Sequence, residues 1–446
     1  MNIAESAAME QILISRGWEK AASVQIADMM IVNTCTIRKS ADERIEGRLG
    51  WINGLKAVRE KKVNAKTKFL EEAVEYVKDG PKPLTVVVTG CMVERMISSF
   101  KKDYPFVDYV IGTFGKHHFG EIVDRVQNHL PSFEIPDDEV YQFAEISAEK
   151  GAFSTFIPIM HGCNNFCTYC IVPYVRGREI SRPVNQILKE IDALSKLSVR
   201  EICLIGQNVN SYKDDDVNFA GLLKIIALHL QKTDSPIKWV RFMSSHPKDF
   251  TDDVINVISE EKVLCRHIHL PVQNGSNNVL KAMNRRYTRE HYLELIQKIK
   301  DKIPDVSLTT DIMMGFPGET EEDVEQTLDL MRKVKYESAM MYYYNQREGT
   351  PAAKMEQIPE EIRKQRLQRV IDLQLEHTHE RMMERIGKKA LVIVEGVSRD
   401  NPDELLAQTE QHEKLVFKGE KSLIGSFVQV IIKSLNGNTF RGELLS

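Results

Sequence analysis

Between residues 154 and 351 the sequence repeats one phrase six times: a short apolar or β-branched run, then a polar or glycine-bearing segment, with helical stretches in between. The apolar runs fall at 154–160, 201–205, 237–243, 267–270, 306–314 and 338–344. "VNQILKEIDALSKL" from Val184 and "TREHYLELIQKIKDKI" from Thr288 carry helical periodicity. Six β/α units in succession predict a barrel or partial barrel of parallel strands. The segments that follow the runs are a cysteine-rich stretch, "GQNVNSY", "SSHP", "PVQNGS", "GFPGET" and "NQREGTP". Loops are polar in most proteins, so one alone says little. Six together place the chemistry at the carboxyl ends of the strands, as such barrels do.

The flanks read differently. "MMIVNTC" (29–35), "LTVVVTGC" (84–91) and "DYVIGT" (108–113) are β-branched and apolar on both faces, the pattern of buried parallel strands in a doubly wound α/β domain. Two of them end in cysteine. Ligands bind at the carboxyl ends of such strands, so Cys35 and Cys91 are expected to face one crevice. The charged stretch 56–82 reads as surface helices, and "LPSFEIPDDEV" (130–140) as a linker. A long helix is expected from "IPEEIRKQRLQRV", with Pro359 in its first turn. After Gly387, short strands with Gly and Asn turns predict a small antiparallel barrel. The fold class is α/β with this β-barrel appended.

Composition bounds the setting. With 446 residues, 42% hydrophobic and 28% charged, and a net charge of -4, the chain has room for two or three domains. That charge neither calls for a nucleic-acid partner nor excludes one, since a local basic patch suffices. No apolar run approaches a membrane span, and "MNIAESAAMEQIL" lacks the regions of a secretory signal, so a cytoplasmic protein is expected. Seven cysteines, an odd number at low density, argue for reduced thiols with chemical work rather than a disulfide framework.

Three of the seven, Cys163, Cys167 and Cys170, stand as C-x3-C-x2-C after the first barrel strand. Structural zinc takes four ligands, and no fourth follows at the right spacing. His161 is a poor candidate because its ring would have to fold back past Gly162. A [4Fe-4S] cluster held by three thiolates keeps one iron open for another ligand. Cys203 and Cys265 lie on or beside barrel strands and read as core thiols.

This spacing, with Tyr169 just before the last cysteine, resembles the radical S-adenosylmethionine superfamily. "GCNNFCTYCIVPYVRGREISRP", "RFMSSHP", "HLPVQNGS", "DIMMGFPGETEED" and "YNQREGTPAA" resemble its methylthiotransferases, and "VPYVRGRE" and "QNVNSY" their MiaB branch. The resemblance runs over nearly the whole chain. It implies a methylthiotransferase amino-terminal domain at 1–130, a radical core built as a partial (β/α)6 barrel at 147–382, and an RNA-binding TRAM barrel at 384–446. It also implies that the open iron on Cys163, Cys167 and Cys170 chelates S-adenosylmethionine, whose cleavage gives a 5'-deoxyadenosyl radical. A second [4Fe-4S] cluster, on Cys35, Cys91 and a third cysteine, would present the sulfur. The implied reaction is methylthiolation at carbon 2 of N6-isopentenyladenosine, position 37 of tRNA, with two S-adenosylmethionine. Other branches act on threonylcarbamoyladenosine or a ribosomal aspartate. An iron-sulfur RNA-binding protein without catalysis is the non-enzyme alternative; open-iron spacing argues against it.

The remaining expectations are finer. Tyr169, Gln207, Asn208, Ser244, Gln273 and Gly315 are expected to contact S-adenosylmethionine, although each reads singly as a cap or turn residue. Arg176, Arg178 and Arg182, in a loop read as exposed, face phosphate or a carboxylate or are merely solvated; Arg347 is similar. The terminal barrel's Lys388, Lys389, Arg399, Lys414, Lys418, Lys421, Lys433 and Arg441 are expected to form an RNA-binding face. Partners implied are tRNA and an electron donor such as flavodoxin or ferredoxin, for a monomer. One departure stands out: the family's third auxiliary cysteine sits in "GCQMN", and this chain begins with the last two letters of that motif. A start assigned too late is expected, the alternative being a genuine Met1 with a crippled auxiliary site; from this Met1 a poorly soluble first domain lacking one strand is expected.

Overall fold

The computed structural model describes residues 1–35, 39–62, 70–97, 99–135, 140–146, 148 and 151–445, apart from the side chains of 39–42. It divides into two compact units, one of residues 1–150, 161–163 and 171–180, the other of residues 151–160, 164–170 and 181–446. Each is described by itself.

In the first unit, helix α1 (Asn2–Ser15) precedes strand β1 (Met29–Thr34), helix α2 (Lys39–Arg59), strand β2 (Thr85–Gly90), helix α3 (Cys91–Met96) and strand β3 (Tyr109–Ile111). The strands pair in parallel in the order β1-β2-β3. Val86 and Val88 pack on Leu49, Ile52 and Leu55 of α2, whereas Val87 packs on Met9, Phe119 and Ile122. Covering both faces is what a run of valines requires. The register pairs Thr34 with Gly90, so Cys35 and Cys91 leave neighbouring strand ends. Gly90 has φ +103°, and a Cβ there would lie 2.3 Å from the Thr34 carbonyl oxygen, so no larger residue permits this approach.

The charged stretch 56–82 is less exposed than its composition suggests. The guanidinium of Arg59 is fully buried and donates to the carbonyls of Lys82 (2.7 Å) and Ala27 (2.9 Å). Residues 63–69 of that stretch and 136–139 of the expected linker lie outside the described residues.

The second unit carries strands β4 (Ser154–Pro158), β5 (Glu201–Ile205), β6 (Trp239–Phe242), β7 (His267–His269), β8 (Ser307–Met314) and β9 (Ser338–Tyr343). They pair in parallel as β4-β5-β6 and β7-β8-β9, and a bridge from Val240 to Leu264 joins the two sets. The six sequence runs thus form one open wall with β4 and β9 at its edges, a partial barrel. Helices α4 (Val184–Lys196), α5 (Phe219–Lys232), α6 (Asp252–Glu260), α7 (Arg289–Lys302) and α8 (Glu321–Val334) connect successive strands. The start of α8 is fixed by a reciprocal cap between Thr320 and Asp323. Pro359 stands at the cap of α9 (Glu360–Met383), one place ahead of the expected first turn.

The last five strands, β10 (Lys389–Val397), β11 (Glu404–Thr409), β12 (Lys414–Lys418), β13 (Phe427–Asn436) and β14 (Thr439–Leu444), close a barrel in the order β10-β11-β12-β14-β13. Its pairings are antiparallel except β12 with β14, which run parallel. An odd number of strands cannot alternate direction all the way round, so one parallel pair is geometrically necessary. This barrel docks on the amino-terminal end of the partial barrel. Arg241 donates to the carbonyl oxygens of Thr409 (2.9 Å) and Glu410, and the Arg266 N–H donates to the Glu410 carboxylate (3.0 Å). Trp239 meets Phe427 edge to face at 4.7 Å.

Candidate active site

In the second unit, the segment 164–170 sits at the carboxyl ends of the barrel strands and is held by backbone contacts. Thr168 N–H donates to the Met283 carbonyl (3.1 Å), and Ala352 N–H donates to the Thr168 carbonyl (2.9 Å). Asn284 donates to the carbonyl of Phe166 (3.0 Å), a residue held at φ +49°. Cys167 is buried and Cys170 half-buried. Tyr169 packs with Met313, Phe316, Tyr342 and Tyr344.

Sequence reasoning missed the cation beside these thiols. Arg285 is buried, and its Nη1 lies 3.5 Å from the Cys167 sulfur and 3.4 Å from the Tyr169 hydroxyl. Its other donors reach the Pro271 carbonyl (2.8 Å) and the Tyr287 hydroxyl (3.1 Å). Burial works against its charge, but Tyr287, Tyr169 and Cys167 outweigh that and hold it well above its ordinary value. Burial pushes the Tyr169 hydroxyl well up in turn. "NRRYT" offered a pair of arginines with nothing to say which one turns inward.

The ends of β5 and β6 bring six of the expected or neighbouring polar residues together. The Val209 N–H donates to the Ser244 carbonyl (3.2 Å), and Asn210 exchanges hydrogen bonds with the His246 backbone (2.8 and 2.9 Å). Ser244 itself sits at φ +72°. Asn208 donates to Asp249 (2.8 Å), yet its Oδ1, Gln207 Oε1, Ser245 Oγ and His246 Nε2 are buried without a partner among the described residues. Orphaned buried acceptors and donors cost free energy unless a ligand meets them. Ser245 and His246 were not singled out from "SSHP". Burial, with Arg285 next in strength, lowers His246 far below its ordinary value, so a neutral ring faces this place.

Gln273 (φ +68°) joins the wall through the Asp311 carbonyl, to which its N–H donates (2.9 Å), and accepts from the Tyr342 hydroxyl (3.2 Å). At Gly315 (φ +69°) a Cβ would lie 2.3 Å from Arg363 Cγ. The Gly315 N–H donates to Glu319 (2.8 Å), which also accepts from Asn274 (3.0 Å) and Arg366 (3.3 Å). Burial pushes the Glu319 carboxyl up to about 7.

The first unit builds a charged cluster around Cys91. Arg176 is buried; its Nε donates to the Cys91 sulfur (3.3 Å), Nη1 to Glu5 (2.9 Å) and Nη2 to Asn2 Oδ1 (3.1 Å). Lys116 reaches the other Glu5 oxygen at 2.5 Å. Against the upward pull of burial, Lys116 and Arg176 lower the Glu5 carboxyl below its usual range. His161 stacks flat on Tyr141 at 3.6 Å and is pushed well down by burial and then by Arg176. Cys163 is buried in this unit, its N–H donating to the Gly177 carbonyl (3.1 Å). Gly162 (φ +77°) is obligatory, since a Cβ would lie 2.0 Å from the Arg178 carbonyl oxygen.

The expected exposure of Arg176, Arg178 and Arg182 fails for two. Arg176 is enclosed as described, and Arg182 is 1% exposed and paired with Glu190 of α4. Arg178 is exposed. Arg347 is buried. Cys203 and Cys265 are buried, and burial pushes the Cys203 thiol up to about 12, as inert core thiols require.

These residues fit the groups the sequence implies. Soft thiols at Cys163, Cys167 and Cys170 are the donors an iron-sulfur cluster takes, and the orphaned polar atoms after β5 and β6 suit a polar nucleotide ligand. Cys35 and Cys91 supply two thiols at neighbouring strand ends, one fewer than the three the resemblance gives the auxiliary cluster.

Comparison with known proteins finds matches in three segments. Family models match residues 157–331 (Radical SAM superfamily), 1–112 (Uncharacterized protein family UPF0004) and 384–445 (TRAM domain). The chain is 47% identical to a tRNA-2-methylthio-N(6)-dimethylallyladenosine synthase of Treponema denticola, over 100% of this chain and 97% of the relative. A synthase of the same name from Desulfitobacterium hafniense is 42% identical, over 98% and 93%. Among solved structures, the radical S-adenosylmethionine methyltransferase TsrM of Kitasatospora setae superposes with a TM-score of 0.55 at 14% identity, over 78% of this chain and 72% of that one, a likeness of fold. The chain is therefore a radical S-adenosylmethionine protein, and it belongs to the methylthiotransferase family of the tRNA-2-methylthio-N(6)-dimethylallyladenosine synthases. That superfamily implies a [4Fe-4S] cluster and S-adenosylmethionine.

Proposed function

We propose that this protein methylthiolates tRNA, adding CH3S to carbon 2 of N6-isopentenyladenosine at position 37, beside the anticodon. The observation that carries the reading is the end-to-end match to synthases named for that product, together with thiols at all three positions of the radical motif. Two [4Fe-4S] clusters and two S-adenosylmethionine supply the radical and the methylated sulfur when bound.

The chain's own residues have the following parts. Cys163, Cys167 and Cys170 hold the first cluster; Arg285 donates an N–H toward the Cys167 sulfur and orients Tyr169. Gln207, Asn208, Ser244, Gln273 and Gly315, with Ser245 and His246 added by the structure, surround S-adenosylmethionine. Cys35 and Cys91 hold the second cluster with a third donor, and Arg176 fixes the Cys91 sulfur. Segments 1–130, 147–382 and 384–446 divide the work into sulfur presentation, radical generation and RNA binding.

tRNA is the macromolecular partner, and a flavodoxin or ferredoxin is the electron source for a cytoplasmic monomer. No helix among the described residues is long and apolar enough to cross a membrane. Of the basic residues expected to bind RNA, Lys414, Arg441, Lys433 and Lys388 are paired with carboxylates, whereas Lys389, Arg399, Lys418 and Lys421 are exposed and have no carboxylate partner among the described residues. The latter four are the phosphate contacts we assign.

The test is nucleoside analysis of isopentenylated tRNA after incubation with reconstituted protein, S-adenosylmethionine and reductant. The methylthio nucleoside is expected. Product only on threonylcarbamoyladenosine or on a ribosomal protein would overturn the substrate assignment.

A further inference from the structure

The inner wall of the partial barrel carries a polar pair and an exposed methionine that the roles above do not use. The register pairs His269 with Thr309, Thr309 with Ser338, and Asp311 with Met340. Paired residues of parallel strands share a face, and side chains alternate along each strand, so His269, Thr309, Asp311 and Met340 lie on one face. The alternate residues Ile268, Leu308 and Ile312 are 0–1% exposed, which marks theirs as the helix-covered face and the other as the lumen.

On the lumen face Thr309 Oγ1 lies 3.0 Å from His269 Nδ1, and His269 Nε2 lies 3.5 Å from Asp311 Oδ1. The imidazole thus stands between the Thr309 hydroxyl and the Asp311 carboxylate, within ion-pair distance of the latter. Asp311 keeps 24% of its side chain exposed, and Met340, although within a strand, is 53% exposed. One step nearer the carboxyl ends, Met313 belongs to the apolar cluster against which both Tyr342 and Tyr169 pack, and Tyr169 stands between two of the motif's cysteines. The unused pair therefore borders the reaction site.

A fixed acceptor beside an unused apolar side chain selects for particular chemistry. Neighbouring strands are about 4.8 Å apart, and the register sets Asp311 opposite Met340, so the two side chains rise from adjacent positions on one face. A ligand that satisfies both must carry an N–H and a branched alkyl group within one short reach. An adenine alkylated on its exocyclic nitrogen does so, because N–H and alkyl share that nitrogen. Unmodified adenine fills only the acceptor. Methionine suits the alkyl end, being flexible and polarisable. A base reaches such a lumen once flipped out of its stack.

Resting on the substrate reading above, we propose that Asp311, oriented by His269, and Met340 form the subsite for the N6-alkylated base. The Asp311 carboxylate accepts the N6 hydrogen, and Met340 covers the alkyl group. Met340 is thereby the residue that discriminates alkylated from plain adenosine.

The test uses the reconstituted full-length enzyme and anticodon stem-loop RNAs with and without the isopentenyl group, reading binding by fluorescence anisotropy and methylthiolation as KM and kcat. Wild type is expected to prefer the isopentenylated RNA. Met340→Ala should shrink that preference about tenfold, the usual worth of apolar packing in a specificity pocket. Asp311→Asn should raise KM for the alkylated RNA more than it lowers kcat. Because Met340 is exposed, its substitution does not threaten folding. A preference unchanged in both variants overturns the subsite while leaving the parent reading intact. A loss of S-adenosylmethionine affinity in step with RNA affinity also overturns it, placing the pair at the cofactor instead. A wild type that forms no methylthio product on isopentenylated RNA overturns the parent reading itself.

Discussion

Two buried arginines each end within hydrogen-bond reach of a cysteine sulfur, and they are held in opposite ways. Arg176 in the first unit answers a carboxylate, Glu5, which Lys116 shares. Arg285 in the second unit donates, besides the Cys167 sulfur, to neutral oxygens among the described residues: the Pro271 carbonyl and two tyrosine hydroxyls. A buried charge without a counter-ion is costly, so Arg285 fits a site whose negative charge arrives with thiolates and their cluster. Arg176 is already balanced, and its part is to tie the segment 171–180 to the sheet that carries Cys91. The same side chain thus serves electrostatics in one place and architecture in the other.

Substitutions separate these roles, beginning with the largest effect. Replacing Cys163, Cys167 or Cys170 by Ala should abolish cleavage of S-adenosylmethionine to 5'-deoxyadenosine, assayed by chromatography, whereas Cys203→Ala should not. Arg285→Gln should cut that cleavage by about 10- to 100-fold, the usual cost of losing a group that supports a metal ligand, with Arg285→Lys recovering part of it. Arg176→Met should instead destabilise the first unit by about 3 kcal/mol in denaturant unfolding, since a buried pair is broken. Adding Glu5→Gln should deepen the loss, since Lys116 is then left buried without its carboxylate. If both arginine variants lowered unfolding stability alike and left cleavage alike, the contrast would be broken.

A smaller effect concerns pH. The Glu319 carboxyl, raised to about 7 in the folded protein, holds its proton more tightly there than in the unfolded chain. Its favourable contribution is therefore complete below the ordinary carboxyl range and fades as pH rises through about 7. Glu319→Gln should flatten the stability profile between about pH 4.5 and 7, seen in unfolding midpoints across that range. Smallest is charge reversal at Lys418 or Lys421, which should weaken tRNA binding a few-fold and make its salt dependence shallower by about 0.9 in log–log slope for each phosphate no longer neutralised.

Much of this was legible in the residues. The six strands announced themselves because parallel strands are apolar throughout and sit between polar loops, and the cysteine spacing is local. Glycines 90, 162 and 315 were visible as letters, but their need became plain only from the backbone each one admits. What the sequence hid was long-range pairing. Arg176 and Arg182 read as lying in an exposed loop because Glu5, 171 residues upstream, and Glu190, on the next helix, give no local sign of approaching them. Arg285 lies 118 residues from Cys167, and the orphaned atoms of Ser245 and His246 become conspicuous only once burial is known. The parallel seam of the terminal barrel was likewise invisible, because strand direction at closure is a property of the count of strands and not of any one of them.

The most direct measurement is to reconstitute the protein anaerobically, supply reductant, S-adenosylmethionine and isopentenylated tRNA, and quantify 5'-deoxyadenosine and modified nucleoside together. Both products are expected to appear, and both to vanish in the Cys167→Ala variant. Intact S-adenosylmethionine and unchanged tRNA from the wild-type protein with its cluster in place would contradict a radical methylthiotransferase.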